Sequence, residues 1–233
     1  MGNMITIKDV SLAKITRPAA TGLFRRKRLF RLLDQGRKNP IVLVYGPPGS
    51  GKTSLVSSYL DARQLPCLWY RIDEGDADLA TFFYYMGIAA KKATPRKRKP
   101  LPLFTPEYLQ GISTFTLRYF ENLLGRLKAP YILVFDNFHC VPVGSQFHEV
   151  IGDGLSTIPD GINVILISRH DLPPALTKFH SNGLIGMLGW DELRLNWEET
   201  RGIVPLRAQG VRSKDVIRRL HLAQPTVGSQ GWC

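Results

Sequence analysis

The sequence predicts an α/β fold of three layers, α/β/α, built on a mainly parallel five-stranded sheet. Three observations carry that prediction. Apolar runs of strand length alternate with segments of helical periodicity, the pattern of linked βαβ units. The first of those runs is unbroken rather than alternating, as a strand covered on both faces requires. The first of them, Ile41 to Tyr45, leads straight into a glycine-rich loop, Gly46-Pro47-Pro48-Gly49-Ser50-Gly51-Lys52-Thr53-Ser54, with a helix start behind it.

Taken in order, Met1 to Arg17 carries little periodicity and reads as an extended lead-in. Leu23 to Leu33 then places Leu29, Leu32 and Leu33 on one helical face with Phe30 beside them, closed by Gly36 and Pro40. Strand one and its loop pass into a helix at Ser54 to Leu60. Pro66 opens a second strand, Cys67 to Ile72, which ends in the acidic turn Asp73-Glu74-Gly75-Asp76. A helix follows over Leu79 to Lys92. Pro95 to Pro106 holds four prolines and four basic residues and is expected to be a surface insertion. From Tyr108 to Leu127, a helix stripe of Ile112, Phe115, Tyr119, Leu123 and Leu127 is introduced by Pro106. The third strand is Tyr131 to Phe135, closed by Asp136. A short helix over Gly144 to Ile158 and a turn at Pro159-Asp160-Gly161 lead to a fourth strand, Ile162 to Ile167, ending in Ser168-Arg169. After Pro173-Pro174, Leu184 to Leu195 supplies a weaker fifth strand region broken by Gly186 and Gly189. The expected division is a lead-in and flanking helix over 1–39, a core over 40–195, and the start of a helical segment over 196–233.

The glycine-rich loop fits G-x-x-x-x-G-K-[ST], the phosphate-binding loop, and makes the fold class that of the P-loop NTPases. Glycines let backbone N–H groups turn inward around phosphate oxygens. Lys52 would place its ammonium on the β and γ phosphates and Thr53 would offer its hydroxyl to Mg²⁺, while the helix N-terminus favours the anion. The candidate nucleotide contacts are therefore Gly46, Pro47, Gly49, Ser50, Gly51, Lys52, Thr53 and Ser54.

Ile132-Leu133-Val134-Phe135-Asp136 repeats the pattern of an apolar strand ending in a carboxylate that holds the metal, so Thr53 and Asp136 form the expected Mg²⁺ pair. The next position is Asn137, where many ATPases carry a second acid to orient and polarise the attacking water. An amide does not accept that proton, so binding is expected and hydrolysis only slowly, if at all. His139 is a candidate substitute base or a structural histidine. Arg169 stands at the end of strand four, either sensing the γ-phosphate or pairing with Asp171. Lys52, Asp136, Asn137 and Arg169 make up the candidate catalytic group.

The chain has 233 residues, 44% of them hydrophobic, enough for a full core. No apolar run approaches the length of a membrane span and no signal peptide is visible, so a cytoplasmic location without membrane attachment is expected. Cys67, Cys140 and Cys233 are far apart and odd in number, against a disulfide framework, and the first two are expected to be buried thiols near strands. The formal charge of +12 is concentrated around Arg25 to Arg31 and around Lys91 to Lys99. Such clusters attract polyanions, but the second lies in a Pro-flanked loop and reads as a solvated one ahead of a contact for nucleic acid or another acidic partner.

Together these stretches resemble the N-terminal ATPase module of the large MalT-like transcriptional activators, a branch of the STAND class of signalling ATPases. The resemblance rests on Leu12-Ala13-Lys14 with Thr16-Arg17-Pro18, on Arg26 and Arg28-Leu29, and on the phosphate loop. It continues through Trp69-Tyr70-Arg71-Ile72-Asp73-Glu74-Gly75-Asp76, Ile132 to His139, and Ile167-Ser168-Arg169 with Pro173-Pro174. It implies an ATP/ADP switch with Mg²⁺, ATP-dependent self-association, and nucleotide-side roles for Arg17, Arg26 or Arg28.

Members of that family are several times longer, which leaves two accounts of the last forty residues. In one, Leu193 to Thr200 begins the helical segment after the core, and the chain is then cut short. The string Gln224 to Cys233 can be back-translated so that a shifted frame reads like the family's Gly-Trp-x-x-Gly-Leu element, so a frameshift is the expected cause. In the other, Ala208 to Val227 resembles a LuxR-type helix-turn-helix. A recognition helix starting at Thr226 would meet Gly228 at once and run out at Cys233, so DNA binding by this chain is not expected. The leading function is an ATP-binding regulatory module; the alternatives are an autonomous ATPase and a non-functional gene fragment.

Overall fold

A computed structural model describes residues 13–97, 99–208 and 213–223. Residues 1–12 of the lead-in expected over Met1 to Arg17, Arg98, residues 209–212 of the helix-turn-helix alternative and the tail 224–233 with Cys233 lie outside those residues.

Five strands form one sheet in the order β2-β3-β4-β1-β5: β1 Ile41–Tyr45, β2 Cys67–Arg71, β3 Tyr131–Asp136, β4 Ile162–Ser168 and β5 Ile185–Leu188. Every pairing is parallel, with Val44 opposite Ile167 on one side and Leu188 on the other. Alternate side chains of β1 serve two separate cores, as the period of a strand dictates. Val42 and Val44 join Leu29, Leu33, Val56 and Tyr59, from helices α1 (Lys27–Gly36) and α2 (Lys52–Ala62). Ile41 and Leu43 join Phe82, Phe120 and Phe147, from α3 (Leu79–Ala93), α4 (Ile112–Leu124) and α5 (Gln146–Leu155). These are the three expected layers, and each such side chain stabilises the fold by about 1.5–3 kcal/mol on burial.

Packing explains two glycines. At Gly154 in α5 a Cβ would stand 2.6 Å from the Phe120 ring, so the glycine sets how closely α5 approaches α4. At Gly186 a Cβ would stand 2.8 Å from Gly36 Cα, so this residue does not break the strand, as the sequence suggested, but lets β5 lie against the end of α1.

Other boundaries differ from expectation. The helix expected from Tyr108 begins at Ile112, because Pro106–Gly111 winds as a 3-10 helix and Gly111 leaves helical geometry at φ −126°. Only Ile185–Leu188 of the fifth strand region is a strand. It is preceded by α6 (Thr177–Ser181) and followed by α7 (Trp190–Leu193), where Glu192 accepts the Gly189 N–H at 3.0 Å. Helices α8 (Trp197–Arg207) and α9 (Lys214–Leu222) follow and pack together. Cys67 and Cys140 are half-buried rather than buried.

The described lead-in is tied down by polar contacts. Buried Lys14 donates to Asp76 at 2.8 Å and to Asp73 at 2.5 Å, and the Tyr70 hydroxyl donates to Asp76 at 2.7 Å. Ser57 of α2 donates to the Pro18 carbonyl.

Candidate nucleotide-binding site

The loop after β1 turns through Gly49 and Gly51, at φ 76° and 81°, backbone geometry open to glycine and strained for other residues. Gly51 caps α2, whose first residue is Lys52. The buried Lys52 ammonium donates to the Gly46 carbonyl at 2.6 Å, the Pro47 carbonyl at 2.8 Å and Ser50 Oγ at 3.1 Å. All three acceptors are neutral. Burial, reinforced by the positive charge of Arg169 and only partly offset by Asp136, pushes the Lys52 pKa down to about 8. A desolvated cation at a helix N-terminus is stabilised by an anion, so the cradle fits a phosphate chain.

Beside it, Thr53 Oγ1 donates to Asp136 Oδ1 at 2.9 Å, across the gap between α2 and the end of β3. The same oxygen accepts the Asn137 N–H at 3.0 Å. Burial raises the Asp136 pKa against the opposing pull of those two hydrogen bonds and of Arg71 and Lys52. A buried carboxylate whose charge is poorly compensated, touching a hydroxyl, is a hard-oxygen pair suited to Mg²⁺, which keeps several waters and takes few protein ligands.

Three more of the predicted residues line the same cleft. Asn137 sits in the left-handed region at φ 61°, ψ 39°, and lines the cleft with His139 and Arg169. His139 Nδ1 accepts the Arg169 backbone N–H at 3.2 Å, which assigns the neutral ring's proton to Nε2. Among the described residues Arg169 forms no ion pair; Asp171 instead accepts the N–H of Leu172 at 2.6 Å.

The cleft measures about 670 Å³, and its lining is of two kinds. Loop residues Gly49 to Ser54 supply a polar lining, and Leu23, Phe24, Trp190, Ile203 and Leu206 an apolar one. Gly46 closes against α7, where a Cβ would meet Leu193 at 3.2 Å. Two predicted contacts are not brought to the cleft. Arg17 lies 3.5 Å from Asp61 near the end of α2, because the lead-in crosses the far end of that helix. Arg28 donates to Glu199 at 3.2 Å and to the Arg194 carbonyl at 2.9 Å. Arg26 does line the cleft, donating to Glu199 at 2.9 Å and to the Leu193 carbonyl at 2.7 Å.

Sequence reasoning missed Glu199 and Phe24. The one available signal was Asn196-Trp197-Glu198-Glu199, a cap followed three residues later by Glu, which marks a helix start but not its partner.

A parallel α/β sheet, a phosphate loop after an interior strand, and a strand-end Asp bonded to the loop's Thr define a P-loop ATPase fold, a class that binds nucleotide with Mg²⁺. Residues 25–150 match the AAA ATPase domain, over half of the chain, and the protein belongs to that family. It is similar to the HTH-type transcriptional regulator MalT of Vibrio parahaemolyticus, 27% identical over 191 residues, 81% of this chain and 21% of that protein. The MalT regulator of Cronobacter sakazakii is 25% identical over 178 residues, 76% of this chain and 19% of that protein. The chain thus spans about a fifth of the length of the curated relatives it matches. Among solved structures, the Aeropyrum pernix ORC1 protein in complex with DNA aligns with a TM-score of 0.48 at 15% identity, over 87% of this chain and 56% of that one.

Proposed function

We propose that this chain is an ATP- and ADP-binding regulatory switch module of the STAND type, part of a MalT-like transcriptional regulator, with slow or absent hydrolysis. The observation that carries this reading is the cluster of Lys52, Thr53 and Asp136 beside Asn137: a complete set for holding a Mg²⁺-nucleotide with an amide where a water-activating acid would stand. Lys52 and the loop bind the phosphates; Thr53 and Asp136 hold Mg²⁺, which neutralises phosphate charge when bound. Asn137 can hold a water by hydrogen bonding but takes no proton from it, and the neutral His139 commits Nδ1 to the Arg169 backbone. Arg169, exposed and without an ion pair among the described residues, is free to meet the terminal phosphate. The apolar lining of the cleft suits a planar base. Self-association in the ATP state and a cytoplasmic location belong to the same proposal; among the described residues no helix is long and apolar enough to cross a membrane.

Single-turnover incubation with labelled ATP tests it. The expected result is tight binding with phosphate release far slower than nucleotide dissociation, and loss of binding in Lys52→Ala. Rapid phosphate release would favour an autonomous ATPase; unchanged affinity in Lys52→Ala would remove the site.

A further inference from the structure

Helix α8 reaches back to the start of α1 beside the apolar lining of the cleft. It starts at the cap Asn196, whose side chain accepts the Glu199 N–H at 2.8 Å while Glu199 Oε2 accepts the Asn196 N–H at 3.2 Å. That same oxygen receives Arg26 at 2.9 Å and Arg28 at 3.2 Å, so one carboxylate oxygen gathers two guanidinium groups and a helix cap. Arg26 and Glu199 are only 6% and 4% exposed, and the arginines also bond the Leu193 and Arg194 carbonyls just before α8. One turn further along, the Phe24 ring fills the space that a Cβ at Gly202 would take. The start of α1 and α8 are thus joined twice, by buried charge and by a steric fit, and Ile203 and Leu206 beyond the join line the cleft. Pro205 deprives α8 of one internal hydrogen bond, and α9 supports the helix through Thr200 Oγ1, 2.9 Å from His221 Nδ1, and through the Trp197 ring beside His221.

We propose that Glu199 is a positioning residue for nucleotide retention: its clasp on Arg26 and Arg28 holds α8 over the base in the cleft, so that breaking the clasp releases nucleotide without altering the phosphate loop. This rests on the cleft being a nucleotide site. Arg28 then acts on the nucleotide through Glu199 rather than by touching it. Removing one partner of a buried charge cluster leaves the others uncompensated, and such changes act mainly on dissociation.

The test uses the whole chain, with ATP and inorganic tripolyphosphate as probes. In Glu199→Gln, ATP dissociation followed by stopped-flow displacement should quicken by about tenfold or more. Tripolyphosphate, which needs only the loop, should keep its affinity within about twofold. Gly202→Ala, which displaces Phe24 and leaves every charge in place, should reproduce the same split. Unchanged ATP dissociation in Glu199→Gln overturns the proposal whatever Gly202→Ala does, and so does parallel loss of ATP and tripolyphosphate, which would mark general damage. If the unaltered chain binds neither probe, the nucleotide reading itself has failed and this proposal falls with it; binding of tripolyphosphate but not ATP by the unaltered chain would refute the roof alone.

Discussion

His139 Nδ1 accepts the backbone N–H of Arg169 at 3.2 Å, tying the residues beyond β3 to those beyond β4 at the lining of the cleft. Burial, with the positive charges of Arg169, His170 and Lys52, pushes the ring's pKa down to about 4. The unfolded chain takes up a proton on this ring near its usual 6.5, the folded chain only near 4, so stability falls as pH is lowered through that window. Any ATP turnover should therefore lack a His139 ionisation above pH 5. In His139→Ala the Arg169 backbone loses its anchor, and the ATP/ADP affinity ratio should fall by about threefold or more. A turnover inflection near pH 6.5 that vanishes in His139→Ala would contradict the neutral ring.

Lys52 predicts a second pH effect. With its pKa held at about 8, the ammonium that meets phosphate is lost above that value unless the ligand is bound. Calorimetric titration should show ATP affinity falling by up to about tenfold per pH unit above pH 8. The unliganded fold behaves oppositely. Its buried ammonium is a liability below pH 8 that the unfolded chain does not carry, so thermal stability should rise between pH 8 and 10.5.

Asn137→Asp places a carboxylate where a water-activating acid would stand. Asp tolerates left-handed geometry nearly as well as Asn, so the backbone at φ 61° should survive the change. Single-turnover phosphate release is expected to accelerate by about 10²-fold. No acceleration, with ATP affinity retained, would show that more than this proton acceptor is missing.

Asp136→Asn separates metal binding from folding. The carboxyl's raised pKa means that its ionised form is disfavoured by the fold above that pKa, so the amide should leave the chain at least as stable in EDTA. The same variant should lose the gain in ATP affinity that Mg²⁺ confers, about tenfold or more. Melting curves and titrations with and without Mg²⁺ read the two effects independently.

Gly154→Ala drives a methyl group into the Phe120 ring at the α4–α5 contact, where the two must move apart. Overpacking of this kind costs about 1–3 kcal/mol, and chemical denaturation should show it with nucleotide affinity little changed.

The three inner strands were legible because they are buried on both faces: Ile41–Tyr45, Tyr131–Asp136 and Ile162–Ser168 read as apolar runs, the last interrupted only by Asn163, and end within a residue of expectation. The loop and Asp136 were legible because their spacing is a chemical signature. The start of α4 was not, since the apolar stripe says nothing about whether the turn after Pro106 winds as α or 3-10. Nor were the partners of Arg17 and Arg28. Arg28 meets Glu199 across 171 positions, and a guanidinium in sequence looks the same whether it faces a phosphate or a distant carboxylate.

The position of β1 between β4 and β5 has a consequence for how the protein is made. Ile41 pairs with Val164 and Ile185, so the strand that carries the phosphate loop has neither sheet neighbour until residues 162–188 have been synthesised. During translation it waits with both edges open, while β2 and β3, adjacent in chain order, are free to pair first. On the proposed reading, nucleotide finds its cradle only near the end of assembly and acts as a late trap for the finished sheet rather than as a template for its beginning.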